Sequence, residues 1–150
     1  MKIEKIRLFN DTALREYAEK VAVNKMITMA ISNGGFCDMA HNMIVSMRES
    51  KVTNLLLISL DNQSNKCFDD LSISYFHENF TANRVDSTSQ NFLEGSYLAI
   101  VDYKLKYLLR LLKMGYDVIV SDTDTIWVKD PVSVLENARD SPNFPVLFIL

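Results

Sequence analysis

Short, mostly apolar runs constrain the fold of this chain more than any other feature. Three of them are Met26–Ile31, Leu55–Leu60 and Val118–Val120. Each is too short for an ordinary helix and lacks a regular polar–apolar alternation, which is the pattern of strands buried on both faces. Longer stretches with helical spacing separate the runs. Strands that alternate with helices predict an α/β domain with a mostly parallel sheet covered by helices on both faces.

Segments with apolar residues at helical spacing are predicted helices: Asp11–Val23, Asp38–Arg48 and Ser96–Met114. The longest is predicted to bury a stripe made of Leu98, Val101, Leu105, Leu108, Leu109 and Leu112. Its basic residues, Lys104, Lys106, Arg110 and Lys113, are predicted to face solvent. Gly115 is predicted to cap its end. Pro131–Ala138 is predicted to be a short helix that begins at proline.

The region between the second apolar run and the long helix is polar and weakly patterned. Within it, Ile73–Phe76 could be a short strand, and Thr81–Asn91 is predicted to be a loop. Pro145–Leu150 is predicted to be a further buried strand. Because a domain seldom ends on a bare apolar strand, we expect this chain to be the N-terminal part of a longer protein or the product of a truncated gene model. We divide it into an N-terminal helical extension, 1–24, and an incomplete α/β domain, 25–150.

Composition and charge restrict the class of function. The chain has 150 residues, of which 48% are hydrophobic, and a net charge of −3. It is therefore globular, and its charge gives no reason to expect nucleic acid or an anionic membrane as a partner. No apolar run approaches the roughly 20 residues of a membrane span. Cys37 and Cys67 could form a disulfide or remain as two buried thiols.

Polar residues follow the apolar runs where each predicted strand ends. Ser32 and Asn33 follow the first run, and Asp61 follows the second. Asp122 and Asp124 follow the third. The carboxyl ends of parallel strands share one edge of the sheet, where open α/β sheets bind their ligands. Because paired carboxylates suit hard cations such as Mg²⁺ and Mn²⁺, which in turn hold phosphates, we predict a metal and phosphate site at this edge.

Three motifs resemble the nucleotide-diphospho-sugar transferase domain of glycosyltransferase family 77: Asn33-Gly34, Asn54–Asp61 and Gly115–Pro131. The last is specific, and the other two gain weight from their order and spacing. The resemblance covers roughly residues 26–150. That family, which includes plant arabinosyl- and xylosyltransferases, has a GT-A, Rossmann-like fold and uses Mn²⁺ or Mg²⁺. It transfers a sugar from a nucleotide diphosphate donor, with retention of configuration, to a hydroxyl of a glycan or protein acceptor.

The resemblance also implies roles for single residues. Asp124 would ligate the metal that bridges the donor diphosphate, and Asp122 would contact the donor and help to hold the metal. Ser32, Asn33 and Asp61 would contact the nucleotide of a UDP-sugar. No catalytic residue is identified. The resemblance implies a Golgi location, although no signal peptide or membrane anchor is visible in the sequence.

Two alternatives remain open. The motif Asp122-Thr-Asp-Thr125 also matches the first motif of haloacid-dehalogenase-type phosphatases, in which Asp122 would be the nucleophile and Asp124 the general acid. That motif usually opens its domain, whereas here a whole α/β half precedes it. Trp127, which we interpret as a packing anchor, and Asp130-Pro131 favour the transferase. The second alternative is a truncated, non-catalytic fragment that binds nucleotide weakly or packs against a partner.

Overall fold

The computed structural model of the chain describes residues 11–78 and 95–139. Within these ranges, four strands form one sheet in the order β3-β2-β1-β4. The strands are β1 (Met26–Ser32), β2 (Leu55–Ser59), β3 (Phe76–His77) and β4 (Asp117–Val120). Every pair of neighbouring strands is parallel, which confirms the prediction of a parallel sheet. The predicted strand Ile73–Phe76 is shorter and begins later than expected.

Helices cover both faces of this sheet. Those in the described ranges are α1 (Asp11–Val21), α2 (Cys37–Glu49), α3 (Asn62–Asp70), α4 (Gly95–Lys113) and α5 (Val132–Arg139). One hydrophobic core lies between the sheet and helices α1 and α4, and a second lies between the sheet and helices α2 and α3. The predicted α/β class is confirmed, and the arrangement is consistent with a GT-A, Rossmann-like fold.

The sequence locates four of these helices to within two residues at each end, but it misses α3. Among the nine residues of α3, only Cys67 and Phe68 are apolar, so the segment has little hydrophobic periodicity. Its start is fixed by a capping box, in which the side chains of Asp61 and Ser64 bond to each other's backbone N–H groups. That pair of residues was the available signal for this helix.

The predicted buried face of α4 is wrong. Four leucines of the predicted stripe are half exposed or more: Leu98, Leu105, Leu109 and Leu112. The residues of α4 that are fully part of the core are Tyr103, Tyr107 and Leu111. Tyr107 packs edge-on against Phe76 of β3. The rings of Tyr103 and Tyr107 bury a larger apolar area than leucine side chains would bury in their place. Arg110, predicted to face solvent, is buried as well.

Helix α4 ends at a glycine cap, and the chain then enters the sheet as β4. Gly115 has a φ of 91°, and the N–H groups of Gly115 and Tyr116 donate to the carbonyls of Leu112 and Leu111 at 3.0 and 3.2 Å. This Schellman motif confirms the predicted cap. The following strand, β4, lies at the edge of the described sheet. Its side chains are half-buried or exposed, so the expectation of a fully buried strand is wrong here.

The two cysteines are paired in a disulfide, with a Cα–Cα distance of 6.6 Å. The bond joins the start of α2 to α3 and settles the alternative that the sequence left open. No helix of the described ranges is long and apolar enough to span a membrane. The predicted loop Thr81–Asn91 and the predicted strand Pro145–Leu150 lie outside the described residues. The division of the chain at residue 24 stays a prediction.

Candidate functional site

The strand register brings the polar ends of the strands to one edge of the sheet. Ser32 at the end of β1 lies opposite Ser59 at the end of β2, whereas Val120 at the end of β4 lies opposite Met29. The chain therefore leaves β4 three residues before β1 ends. The Ser121 N–H donates to the Met29 carbonyl at 2.9 Å. The segment that follows, residues 122–127, runs beside the end of β1.

This segment forms one wall of a cavity of about 170 Å³ at the carboxyl edge of the sheet. Its polar lining comes from Asp122, Thr123 and Asp124 on this segment and from Lys104 on α4. The apolar lining comes from Ile31, Phe36, Met39, Ile100 and Val101. The cavity thus combines charged groups with apolar walls, which is the usual composition of a small-molecule site.

The two carboxylates of the cavity differ in their surroundings. The Asp122 carboxylate forms an ion pair with the Lys104 ammonium. The Asp124 side chain is exposed and makes no hydrogen bond or ion pair with the part of the chain that the structure describes. The Thr125 N–H donates to the Asp122 carbonyl at 3.2 Å, so a tight turn holds both carboxylates on the same segment. Asp124 is therefore available to a ligand, and Asp122 already has a cation beside it.

Trp127 anchors the segment to α2. Its backbone N–H donates to the Ser46 hydroxyl at 2.9 Å, and its carbonyl accepts a hydrogen bond from the Ser50 hydroxyl at 2.8 Å. Its side chain packs against the core beneath α2 and α3. This confirms the interpretation of Trp127 as a packing anchor, and it fixes the far end of the turn that carries the two carboxylates.

Asp61 joins the ends of β1 and β2. Its carboxylate, only 3% exposed, accepts hydrogen bonds from the Ser64 N–H at 2.7 Å, the Ser64 hydroxyl at 2.9 Å and the Gly34 N–H at 3.1 Å. Gly34 lies so close to α3 that a Cβ atom there would be 2.6 Å from the Gln63 side chain. In this arrangement Asp61 holds two loops together and does not line the cavity. Its contact with a nucleotide stays a prediction.

Ser32 and Asn33 lie at the end of β1 and are almost completely buried. The Ser32 hydroxyl donates to the Asn33 carbonyl at 3.1 Å. Neither side chain lines the cavity that contains Asp122 and Asp124. The structure thus brings the two carboxylates together and leaves the other predicted site residues inside the neighbouring strand ends, so their nucleotide contacts also stay predictions.

Lys104 is a site residue that the sequence analysis missed, because it was assigned to the solvated face of α4. It precedes Asp122 by 18 positions, and no local pattern links the two. Only the course of α4 back across the sheet to β4 brings its ammonium into the cavity. The sequence analysis also missed Phe36 and Met39 as apolar walls of the cavity. They lie in the connection between β1 and β2, and no local pattern links them to Asp122.

Asp122 and Asp124 have the donor atoms that Mn²⁺ and Mg²⁺ prefer. The described part of the chain contains no cluster of three or more His, Cys, Asp or Glu side chains that could hold a metal alone. Proteins commonly bind these ions through one or two carboxylates together with the phosphates of the substrate. The two carboxylates therefore fit a metal that is shared with a diphosphate, and they do not fit an all-protein metal site.

The fold and the cavity define a class, namely a Rossmann-like α/β protein with a cavity at the carboxyl edge of the sheet, where proteins of this class bind their ligands. Residues 50–145 match the sequence model of the nucleotide-diphospho-sugar transferases, and the chain belongs to this family. No solved structure matches the chain significantly.

Relatives in Arabidopsis thaliana are similar to most of this chain. The arabinosyltransferase RRA2 is 29% identical over 127 residues, which is 85% of this chain and 29% of the relative. The beta-arabinofuranosyltransferase RAY1 is 22% identical over 114 residues, 76% of this chain and 21% of the relative. A UDP-D-xylose:L-fucose alpha-1,3-D-xylosyltransferase is 22% identical over 135 residues, 85% of this chain and 35% of the relative. The chain therefore spans about a fifth to a third of the length of these relatives.

Proposed function

We propose that this chain supplies the donor-binding part of a glycosyltransferase that moves a sugar from a nucleotide diphosphate to a hydroxyl of a glycan or protein. The observation that carries the proposal is the pair Asp122 and Asp124 in a cavity at the carboxyl edge of the sheet, in a chain of this family. The named activities of the relatives support transfer of a pentose, and one of those names supports a UDP-sugar as donor. Family membership favours this function over the phosphatase alternative.

Within this proposal each residue of the cavity has a chemical role. Asp124, which has no partner in the described part of the chain, would ligate Mn²⁺ or Mg²⁺, and Asp122 would provide a second carboxylate. A bound metal would stabilise the negative charge that develops on the departing nucleoside diphosphate. Phe36 and Met39 would shield the sugar–phosphate linkage from water, which strengthens the electrostatic interactions of the site.

The proposal extends, by resemblance to the family, to transfer with retention of configuration and to a location in the Golgi. It assigns no catalytic nucleophile. Binding of the donor is proposed for this chain, and sugar transfer is proposed for the whole protein, since the chain covers a minor part of its relatives.

Calorimetric titration of UDP, with and without Mn²⁺, tests the proposal. We expect the wild-type chain to bind UDP in the presence of Mn²⁺. The variant Asp124→Ala should bind UDP at least about tenfold more weakly, because a charged metal ligand is lost. The variant Asp102→Ala is a matched control, since Asp102 is an exposed carboxylate on α4 that pairs with Lys106 outside the cavity. UDP binding that ignores both Mn²⁺ and the Asp124→Ala change would contradict the proposal.

A further inference from the structure

Lys104 brings a positive charge into the cavity that contains the two carboxylates. Among the described residues it is the one cationic side chain that lines this cavity. Its ammonium pairs with Asp122, and its side chain is 26% exposed, while Asp124 beside it has no partner in the described part of the chain. The free protein thus neutralises one of its two candidate metal ligands with a side chain of its own.

We propose that Lys104 occupies the place of the metal on Asp122 in the free protein and moves to the donor diphosphate when a divalent cation binds. Lys104 would then be both a competitor of the metal and a ligand of the donor. This inference rests on the proposed function, because it takes the occupant of the cavity to be a metal with a nucleoside diphosphate.

The charges in the cavity support such an exchange. Two carboxylates and one ammonium leave the free cavity negative, so it attracts a divalent cation. Once that cation lies on the carboxylates, like charges oppose an ammonium in the same place. A diphosphate brings several negative charges and offers the ammonium a new partner. Lys104 can therefore change partners without leaving a charge unpaired.

Because the ion pair between Lys104 and Asp122 is exposed, breaking it costs little free energy. The Asp122 side chain is 66% exposed, and an ion pair in such a position contributes little to stability. The four-carbon stem of a lysine is flexible and ends in a compact charge, so a small rotation redirects it. The stem begins on α4 beside Ile100 and Val101, which also line the cavity, so the ammonium stays within reach of the bound ligand.

Lys106 provides a matched control on the same helix. Its ammonium also pairs with an aspartate, Asp102, and it is also partly exposed, but it does not line the cavity. The variants Lys104→Met and Lys106→Met each remove one ammonium and one exposed ion pair from α4. Only the first removes a charge from the cavity. The variant Lys104→Arg keeps the charge and tests for rescue.

Two separate measurements test the inference on the wild-type chain and these three variants. Electron paramagnetic resonance of free Mn²⁺ measures binding of the metal alone, and calorimetry measures UDP binding at saturating Mn²⁺. We expect Lys104→Met to bind Mn²⁺ about two- to fivefold more tightly, because the competing ion pair is gone. We expect the same variant to bind UDP about tenfold more weakly, because a charged contact with the diphosphate is lost. Lys106→Met should match the wild type, and Lys104→Arg should restore UDP binding.

The opposite signs of the two effects separate the inference from a loss of structure, which would weaken both binding events. Unchanged Mn²⁺ and UDP affinities in Lys104→Met, with wild-type binding intact, would overturn the inference and leave the proposed function standing. Weaker binding of both ligands by a variant with an unaltered circular dichroism spectrum would also overturn it. The absence of Mn²⁺-dependent UDP binding in the wild-type chain would overturn the proposed function and this inference together.

Discussion

The long-range ion pairs of helix α4 are of two kinds. Arg110 binds Glu78 through two hydrogen bonds of 2.8 and 3.1 Å, and the exposed fractions of these side chains are 8% and 6%. The Tyr107 hydroxyl donates to the same carboxylate, and Arg110 also donates to Asp11. Lys104, by contrast, pairs with Asp122 in a position where both side chains remain accessible to water.

The difference separates a structural ion pair from an exchangeable one. Burial alone would lower the pKa of the Arg110 guanidinium, but its hydrogen bonds to Glu78 and Asp11 outweigh that effect, and its pKa is raised above the ordinary value. The charged form is thus held in place from several sides. The pair in the cavity has one contact and open surroundings, so a ligand can replace either partner. Of these two pairs, the weakly held one is the pair that lies at the candidate site.

The largest expected effect comes from breaking the buried pair. The variant Glu78→Ala should lower the free energy of unfolding by about 3–5 kcal/mol, because it leaves the Arg110 charge buried without its main partner. The variant Asp122→Ala should lower it by about 1 kcal/mol or less, since it breaks an exposed pair. Urea unfolding followed by circular dichroism measures both values. Equal losses in the two variants would refute the distinction between the pairs.

A similar contrast between Asp61 and Asp124 predicts the next largest effect. The variant Asp61→Ala should lower the free energy of unfolding by about 2–3 kcal/mol, because it removes the cap of α3 and leaves the partly buried Gly34 N–H without its acceptor. The variant Asp124→Ala should change it by about 0.5 kcal/mol or less. Asn is also a good cap, so Asp61→Asn should retain part of the stability. If the urea concentration at the midpoint of unfolding were the same for Asp61→Ala and the wild type, the Asp61 carboxylate would not be needed for stability. It would then be free to serve as a nucleotide ligand.

The sequence predicted what depends on local patterns. The apolar runs identified β1, β2 and β4, and the alternation of elements identified the parallel sheet. The Gly115–Pro131 motif identified the family, which the comparison of residues 50–145 confirms. These features are encoded by neighbouring residues, so they can be recognised without knowing what packs against them.

The features that were missed depend on partners far away in the chain. Arg110 is buried because Glu78, 32 positions earlier, accepts its hydrogen bonds. That pairing, together with the tyrosine rings, turns α4 so that four of its leucines face outward: Leu98, Leu105, Leu109 and Leu112. Lys104 becomes part of the cavity through Asp122 in the same way. Helical spacing can indicate which residues share a face, but it cannot tell which face the sheet will cover when both contain apolar and basic residues.

The smallest expected effect concerns the pH dependence of stability. Burial, followed by the hydrogen bond to Glu78, raises the pKa of Tyr107 well above the ordinary value of 10.0. Because the folded protein holds the proton more tightly, this contribution to stability is complete below pH 10 and is lost as the pH rises from the unfolded pKa towards the folded one. The free energy of unfolding should therefore decrease above pH 10, and the decrease should be shallower in Tyr107→Phe. At pH 8 that variant should be less stable by about 1 kcal/mol, for the lost hydrogen bond.

Tyr75→Phe is the matched control for this experiment. Tyr75 also has a pKa raised by burial and by a hydrogen bond, to Asp69, but that contact is exposed. Removing its hydroxyl should flatten the pH dependence less than removing that of Tyr107. Urea unfolding at intervals between pH 8 and about 11 gives the slopes, because stability changes with pH only where the folded and unfolded states bind different numbers of protons. Equal slopes in the two variants would mean that burial beside Glu78 raises the pKa of Tyr107 no more than burial and the exposed contact with Asp69 raise the pKa of Tyr75.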